Sequence, residues 1–466
     1  MTKKLTLPIV ALTGAMALSG CQIMPTFFKP AAPVPSVYPT GEGAATKSVA
    51  DIGWNEFFQN PDLREVIGTA LSNNRDLKTA ILRIEEARAL YNIQRADQLP
   101  TVNATGGVTT SRQLLAGTMR ENTVYQVGLG MAAFELDFFG RVKNLSAAAL
   151  SQYLATEEAR RAFQISLVSE VAKAWLTERA LAEQKQLAER TYKARESSRE
   201  LVKKRLDAGI TNALEFQQSE TLVQSARVSL LALRRQHALA VNALTLLTGY
   251  GMKMPPQTAT LSNQVITADI GGGLPSDLLS HRPDIRAAEQ RLRASQANIA
   301  AARAAFFPRI SLTTGFGLAS GDLGDLFDTG SRTWNFAPQL VLPIFDNGRN
   351  KSGLSLAEVR SNIAISDYEK TIQVAFREVA DALAARATLA EEIDAQKAVR
   401  DAQFERLSLA QARYQNGISS YLDVLDAERE LFNAEQALVQ SQLLRLTNTV
   451  DLYRSLGGGF TESEKQ

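Results

Sequence analysis

Along "RISLTTGFGL" (309–318) the apolar residues Ile310, Leu312, Phe316 and Leu318 alternate with Arg309, Ser311, Thr313, Gly315 and Gly317. "TWNFAPQLVL" (333–342) repeats the pattern with Trp334, Phe336, Leu340 and Leu342, and Tyr125, Val127, Leu129 and Met131 alternate with Gln126, Gly128 and Gly130. A period of two predicts strands with one apolar and one polar or small face. Elsewhere the period is helical. The stretch from about Asp76 to Gln98 has no internal Gly or Pro and stops at Pro100, as its twin stops at Pro308. Helix formers dominate Val142–Asp207 and Lys351–Asn416, with Gly353 the one glycine, near the start of the second. Apolar positions recur at heptad-like spacing: Leu167, Val171, Ala174 and Leu181, then Ala375, Val379, Ala382 and Leu389. A helix of about 65 residues runs roughly 100 Å.

These elements are written twice. A displacement of 208 sets Asp76 on Asp284, Arg83 on Arg291, Arg95 on Arg303 and Pro100 on Pro308. It also sets Gly140-Arg141 on Gly348-Arg349, Arg205 on Arg413, Gly209-Ile210 on Gly417-Ile418 and Gly249 on Gly457. The mature chain therefore reads as two copies of helix, strand pair, very long helix and helix. The copies span 69–250, with strands near 101–136, and 277–458, with strands near 309–343. A connector (251–276) joins them, preceded by a segment at 21–68 and followed by a tail at 459–466. One detail disagrees: 208 is even, yet Tyr125 and Trp334 have opposite parity. A bulge or a one-residue slip in one of these strands is expected.

Roughly ten-residue alternating strands suit a membrane β-barrel, although a half-buried hairpin on a soluble core shows the same alternation. Four strands per chain cannot close. An open edge is not tolerated in a bilayer, so strands placed there require oligomerisation. Counting alone allows eight, twelve or sixteen strands.

The N-terminus supplies a compartment. Lys3 and Lys4 precede an apolar stretch from Leu5 to Leu18, ending in Leu18-Ser19-Gly20-Cys21. This is the layout of a secretory signal over residues 1–20, too short for an ordinary transmembrane helix. Leu-Ser-Gly-Cys resembles a bacterial lipobox, which implies that Cys21, the sole cysteine, carries lipid. Gln22, rather than an aspartate, after it points to the outer membrane by the same resemblance. Removing residues 1–20 takes away two lysines and no acid, leaving 49 basic and 49 acidic side chains. A neutral chain offers no electrostatic case for nucleic acid. The two histidines, His237 and His281, have no ligand spacing, so metal and His-dependent catalysis lack support. His237 lies in an apolar row with Leu230, Leu233, Ala240 and Leu244 and reads as a packing residue. No Gly-rich phosphate loop ending in Lys-Ser or Lys-Thr occurs: "GGGLPSD" (271–277) lacks the lysine. The chain is read as no enzyme and as needing no cofactor beyond the covalent lipid.

"WNEFFQNPDL" (54–63), "ELDFFGRV" (135–142), "HRPDIRAAEQRL" (281–292), "LPIFDNGR" (342–349) and "YLDVLDAERELFNAEQ" (421–436) resemble segments of the outer-membrane factor family, the TolC and OprM type channels, in its lipidated drug-efflux branch. The resemblance covers nearly the whole mature chain. It implies a mainly α fold with a membrane β-barrel part: a homotrimer forming a twelve-stranded barrel and a long periplasmic α-helical barrel. It further implies a passive exit duct of a tripartite pump, with a periplasmic adaptor (membrane-fusion) protein and an inner-membrane RND transporter as partners. The family's periplasmic constriction falls on "RYQNGISSYLDVLD" (413–426), with Leu422, Asp423 and Asp426 narrowing the pore, Arg413 and Tyr414 contributing to closure, and Glu215 as the acidic tip position of copy one. Asp423 and Asp426, three apart, share a helix face; threefold repetition would gather a carboxylate ring that attracts cations. Acids in a first helical turn also simply complement the macrodipole. Ser419 replaces an arginine that ties neighbouring helices in some members. Two further readings compete: a duct for protein or toxin secretion, and a structural coiled-coil lipoprotein that conducts nothing.

Overall fold

The computed structural model describes residues 27–39, 49, 52–115, 117–249, 260, 261, 270 and 275–459. Cys21, the signal at 1–20 and most of the connector lie outside the described residues. In chain order the elements are α1 (Trp54–Phe57), α2 (Pro61–Asn73), α3 (Arg75–Ala96), β1 (Val102–Leu115), β2 (Thr118–Leu136), α4 (Arg141–Asp207) and α5 (Ala213–Thr248). There follow α6 (Pro275–His281), α7 (Pro283–Ala304), β3 (Arg309–Ser320), β4 (Arg332–Val341), α8 (Arg349–Gln415) and α9 (Tyr421–Ser455). Helix, strand pair, 67-residue helix and helix thus occur twice.

The chain divides into two units. The first draws on Met1–Ala31, Arg83–Glu157 and Ala287–Glu369, the second on Ala32–Leu82, Glu158–Arg286 and Lys370–Gln466.

In the first unit the strands form one antiparallel sheet in the order β1-β2-β3-β4. Its registry sorts the residues by face. Val127, Leu129 and Met131 share a face with Phe316, Leu318, Trp334 and Phe336, while Asn103, Thr105, Gln126, Ser311, Gln339 and Asn335 lie on the other. Trp334 is 75 % exposed and Phe316 65 %, so the apolar face has no cover among the described residues. Gly128 faces Gly317 across the β2–β3 pair. A Cβ at Gly128 would stand 2.8 Å from the Phe316 carbonyl oxygen, so glycine permits this close approach. The β2–β3 register shifts between Met131 and Phe134, where Ala132 and Ala133 oppose Thr313 alone. Ala133 adopts φ 52° and its N–H donates to Thr313 Oγ1 at 3.1 Å. This is the bulge that the parity of Tyr125 and Trp334 calls for, and it lies in β2. Beyond it Phe134 and Leu136 pair with Leu312 and Ile310, which restores apolar to apolar. Below the sheet, buried alanines on α7, Ala294, Ala297, Ala301 and Ala304, leave little side-chain bulk between neighbouring helices.

The second unit is helical. Phe57 stacks on Tyr453 with ring centroids 3.8 Å apart, and Tyr453 donates to the Ile52 carbonyl at 2.5 Å. Trp175, Leu176, Val379 and Leu383 are fully buried with them. Each such side chain contributes roughly 1.5–3 kcal/mol. The heptad rows read from the sequence face inward: Leu167, Val171, Ala375, Val379, Ala382 and Leu389 are buried, and Ala174 and Leu181 are half-buried. His237 departs from its expected role. Its Nε2 lies 2.8 Å from a carboxylate oxygen of Glu178, itself buried, so it forms a polar bridge from α5 to α4 rather than an apolar contact.

Candidate functional site: the helical turns at Gly209 and Gly417

Both long helices end in the same turn. At Gly209, φ 71°, the Gly209 N–H donates to Leu206 and the Ile210 N–H to Arg205; at Gly417, also φ 71°, Gly417 donates to Tyr414 and Ile418 to Arg413. This double bond pattern needs a left-handed residue, which glycine adopts without strain. Asn212 then caps α5, its Oδ1 accepting from the Glu215 N–H at 3.0 Å. Ser420 stands at the start of α9 without a side-chain cap bond.

The turns bring three polar side chains together. The Tyr414 hydroxyl donates to Glu215 Oε1 at 2.8 Å and accepts from the Arg205 guanidinium, which also lies over the Tyr414 ring at 5.1 Å. Thr211 donates to the other Glu215 oxygen. Burial, the hydrogen bond to Glu215 and that carboxylate's charge push the Tyr414 phenol up to about 12. Beside it Tyr421, tilted at 5.0 Å from Tyr414, shares a hydrogen bond with Ser198 at 2.6 Å. Tyr421, Val424, Leu425 and Val202 form a small buried cluster with Phe216, Leu407 and Tyr414 packed on it.

Of the residues read from the sequence, Glu215 and Tyr414 therefore meet. Arg413 is exposed, and its side chain has no hydrogen bond or ion pair among the described residues. Leu422 is 55 % exposed. Asp423 is exposed without a side-chain partner, whereas Asp426 is held by Arg406 and Arg429, each at 2.5 Å. The two aspartates are therefore not equivalent: the charge of Asp426 is met within its own chain. Sequence reading missed Arg205 and Arg406. Arg205 left a signal as the repeat partner of Arg413; Arg406 left none, because its place opposite Asp426 depends on the register between α8 and α9. Ser419 Oγ is buried without a hydrogen-bond partner. About two turns into α9, Glu428 is pushed up by burial, against the pull of the buried Arg195.

No group of three His, Cys, Asp or Glu suited to a metal occurs among the described residues, and none of their helices is long and apolar enough to cross a membrane. The family model described as "Outer membrane efflux protein" matches residues 66–250 and again 274–458. The chain belongs to the outer membrane efflux protein family. Two matches by one model account for the two copies. Outer membrane protein OprJ of Pseudomonas aeruginosa is 46 % identical over 462 residues, covering 97 % of this chain and 96 % of that protein. Solvent efflux pump outer membrane protein SrpC of Pseudomonas putida is 44 % identical, covering 98 % and 99 %. The open-state MtrE outer membrane channel of Neisseria gonorrhoeae superposes with a TM-score of 0.87 at 38 % identity, covering 96 % of this chain and all of that one. As an outer membrane efflux protein, the chain serves transport through a channel and not catalysis.

Proposed function

We propose that three copies of the chain close a twelve-stranded barrel in the outer membrane, continued by helices into the periplasm, and that this duct is the exit of an RND-type pump. The open four-stranded sheet carries the reading. Its edge strands β1 and β4 have no further partner among the described residues, and its apolar face stands uncovered. Along β3 the apolar row from Ile310 to Leu318 extends about 27 Å at the usual rise per strand residue, close to the apolar band of about 25 Å that membrane barrels present. Edges inside a bilayer must be paired. Identical neighbours supply the pairing at no cost in new sequence.

Copies 69–250 and 277–458 then each contribute two strands and two long helices per chain. Lipid on Cys21, attached after removal of residues 1–20, adds an anchor; stable attachment takes more than one acyl chain. The Arg205–Tyr414–Glu215 contact ties the two turns of one chain together and acts as a closing device, with Leu422 and Asp423 at the narrow end. A periplasmic adaptor and an inner-membrane transporter supply cargo and energy. The names of the relatives, efflux of solvents among them, favour small amphipathic compounds over secreted proteins.

The test is assembly. Cysteines placed at Thr105 on β1 and Thr333 on β4 should oxidise into dimers and trimers in detergent, beside a trimeric mass by light scattering. A folded monomer in detergent, with no cross-linked ladder for any neighbouring pair of positions, overturns the duct.

A further inference from the structure

In the first unit, α4, α7 and α8 flank an open cavity of about 410 Å3 lined by Gln152, Arg291, Ser295, Asn298, Gly353 and Arg360, among others; all six but Ser295 are exposed. We propose that this cavity binds an organic anion, a carboxylate, sulfonate or phosphate ester on a compact apolar body.

Charge is the first argument. Two guanidinium groups line one cavity that no acidic side chain lines. Neither Arg291 nor Arg360 has a carboxylate partner among the described residues. The acid two residues before each arginine is already engaged: Glu289 by Lys29 and Arg293, each at 2.7 Å, and Glu358 by Arg303 at 3.8 Å. Two arginines on one cavity with no acid beside them make the local potential favourable to an anion. Arginine's planar fork suits carboxylate, sulfonate and phosphate oxygens, with Ser295, Asn298 and Gln152 able to complete the hydrogen bonds. The volume lies within the range of small-molecule sites.

The internal repeat provides the second argument, because it shows what the same scaffold carries without the site. At a displacement of 208, Arg291 corresponds to Arg83, Ala294 to Glu86, Ser295 to Ala87, Asn298 to Leu90, Gly353 to Leu145 and Arg360 to Gln152. Copy one thus has one arginine with a glutamate three residues on, and leucines where copy two has asparagine and glycine. Each of these differences makes copy two more basic, more polar or more open; among the lining positions Leu356, against Ala148 in copy one, runs the other way. Gly353 is the informative one. Glycine in a helix interior is unfavourable, and a Cβ there would meet nothing within 4 Å. Space is kept where helix propensity argues against it.

That the anion is a compound in transit rests on the export reading; that it binds does not. The probe is naphthalene-1-sulfonate, titrated calorimetrically into the full-length protein in lipid nanodiscs, with neutral naphthalene-1-sulfonamide as control. Saturable binding is expected at one site per chain, at least tenfold tighter for the sulfonate than for the sulfonamide. Arg360→Gln and Gly353→Leu each import the copy-one residue and should weaken the sulfonate at least tenfold. Leucine is the better helix former, so an unchanged circular dichroism spectrum is expected for Gly353→Leu. Absence of saturable binding, equal binding of the sulfonamide, or undiminished affinity in both variants overturns the site. Oligomeric mass is measured on the same samples. A monomer that binds sinks the duct and keeps the site, and a trimer that does not bind sinks the site and keeps the duct.

Discussion

Asn74 and Arg282 stand 208 positions apart and make the same bond. Asn74 Nδ2 donates to the Leu247 carbonyl at 3.0 Å, and Arg282 Nη1 to the Ser455 carbonyl at 2.9 Å, with Leu247 and Ser455 also 208 apart. Each ties the helix before the strands to the end of its copy's last helix. Arg282 does more: it is buried, forks onto Asp284 at 3.0 and 2.6 Å, and reaches Glu378 at 2.9 Å. Arg282→Ala leaves a carbonyl unpaired and Glu378 with only Arg454. Destabilisation of about 3 kcal/mol is expected. Arg282→Asn, the copy-one residue, should recover part of it through the Ser455 bond. Thermal unfolding in detergent reads both, and equal losses would show that the carbonyl bond contributes nothing.

The bulge at Ala132–Ala133 makes a prediction about faces. Deleting Ala133 shifts Phe134 and Leu136 relative to the residues above them, so that one set must turn to the polar face. Assembly in the outer membrane, followed by resistance to extraction, should be lost. Ala133→Gly keeps the residue count and removes the cost of a left-handed alanine, about 1 kcal/mol; it should assemble at least as well. Normal assembly of the deletion would show that β2 has no fixed register.

Tyr414→Phe removes the hydroxyl that joins Arg205 to Glu215 while keeping the ring on Tyr421. Single-channel conductance in planar bilayers should rise, and Tyr414→Ala should raise it further by unpacking the cluster. The pH dependence follows from the raised phenol. Its contribution is whole below the unfolded value near 10 and is lost as pH climbs through about 12. Wild-type conductance attributable to this contact should therefore stay flat up to pH 10. Opening already at pH 9 in wild type but not in Tyr414→Phe would refute the assignment.

Asp423 and Asp426 should behave differently. Asp423→Ala removes an unpartnered carboxylate and should lower cation selectivity, read as a shift in reversal potential. Asp426→Ala also releases Arg406 and Arg429, so its shift should be larger than that of Asp423→Ala. Identical shifts would mean that the two arginines do not neutralise Asp426.

Burial raises the Glu428 carboxyl. An acid raised on folding stabilises the fold fully below its unfolded value near 4.3 and progressively less as pH rises through the folded one. Glu428→Gln should thus raise the unfolding temperature at pH 7.5 and narrow the difference between pH 5 and pH 7.5. A variant less stable than wild type at pH 7.5 would instead assign Glu428 a favourable pairing with Arg195.

Much of this was legible beforehand because it lives in periodicity. Strands near 309–343 announced themselves by alternation, the long helices by seven-residue rows, and the duplication by one displacement held across the chain. Glu215 and Tyr414 were legible through family likeness. Contacts that depend on how two helices slide against each other were not: Arg406 reaches Asp426 across twenty positions, and Glu178 reaches His237 across fifty-nine. Spacing along one helix carries no information about its neighbour's register. The bulge was legible as an inconsistency, and only coordinates could say which strand held it.

The two hairpins settle an odd residue in different places. From Val102 to Phe134 and from Ile310 to Leu342 the counts are equal, yet copy one spends its surplus inside β2 while copy two spends it in the connection between β3 and β4. Aligning the halves by number alone therefore superposes the glycine and arginine landmarks named above and still puts the wrong side chains of β2, before its bulge, on the apolar face. Grafting one half's hairpin onto the other requires moving the join to below residue 133, where inside and outside agree again.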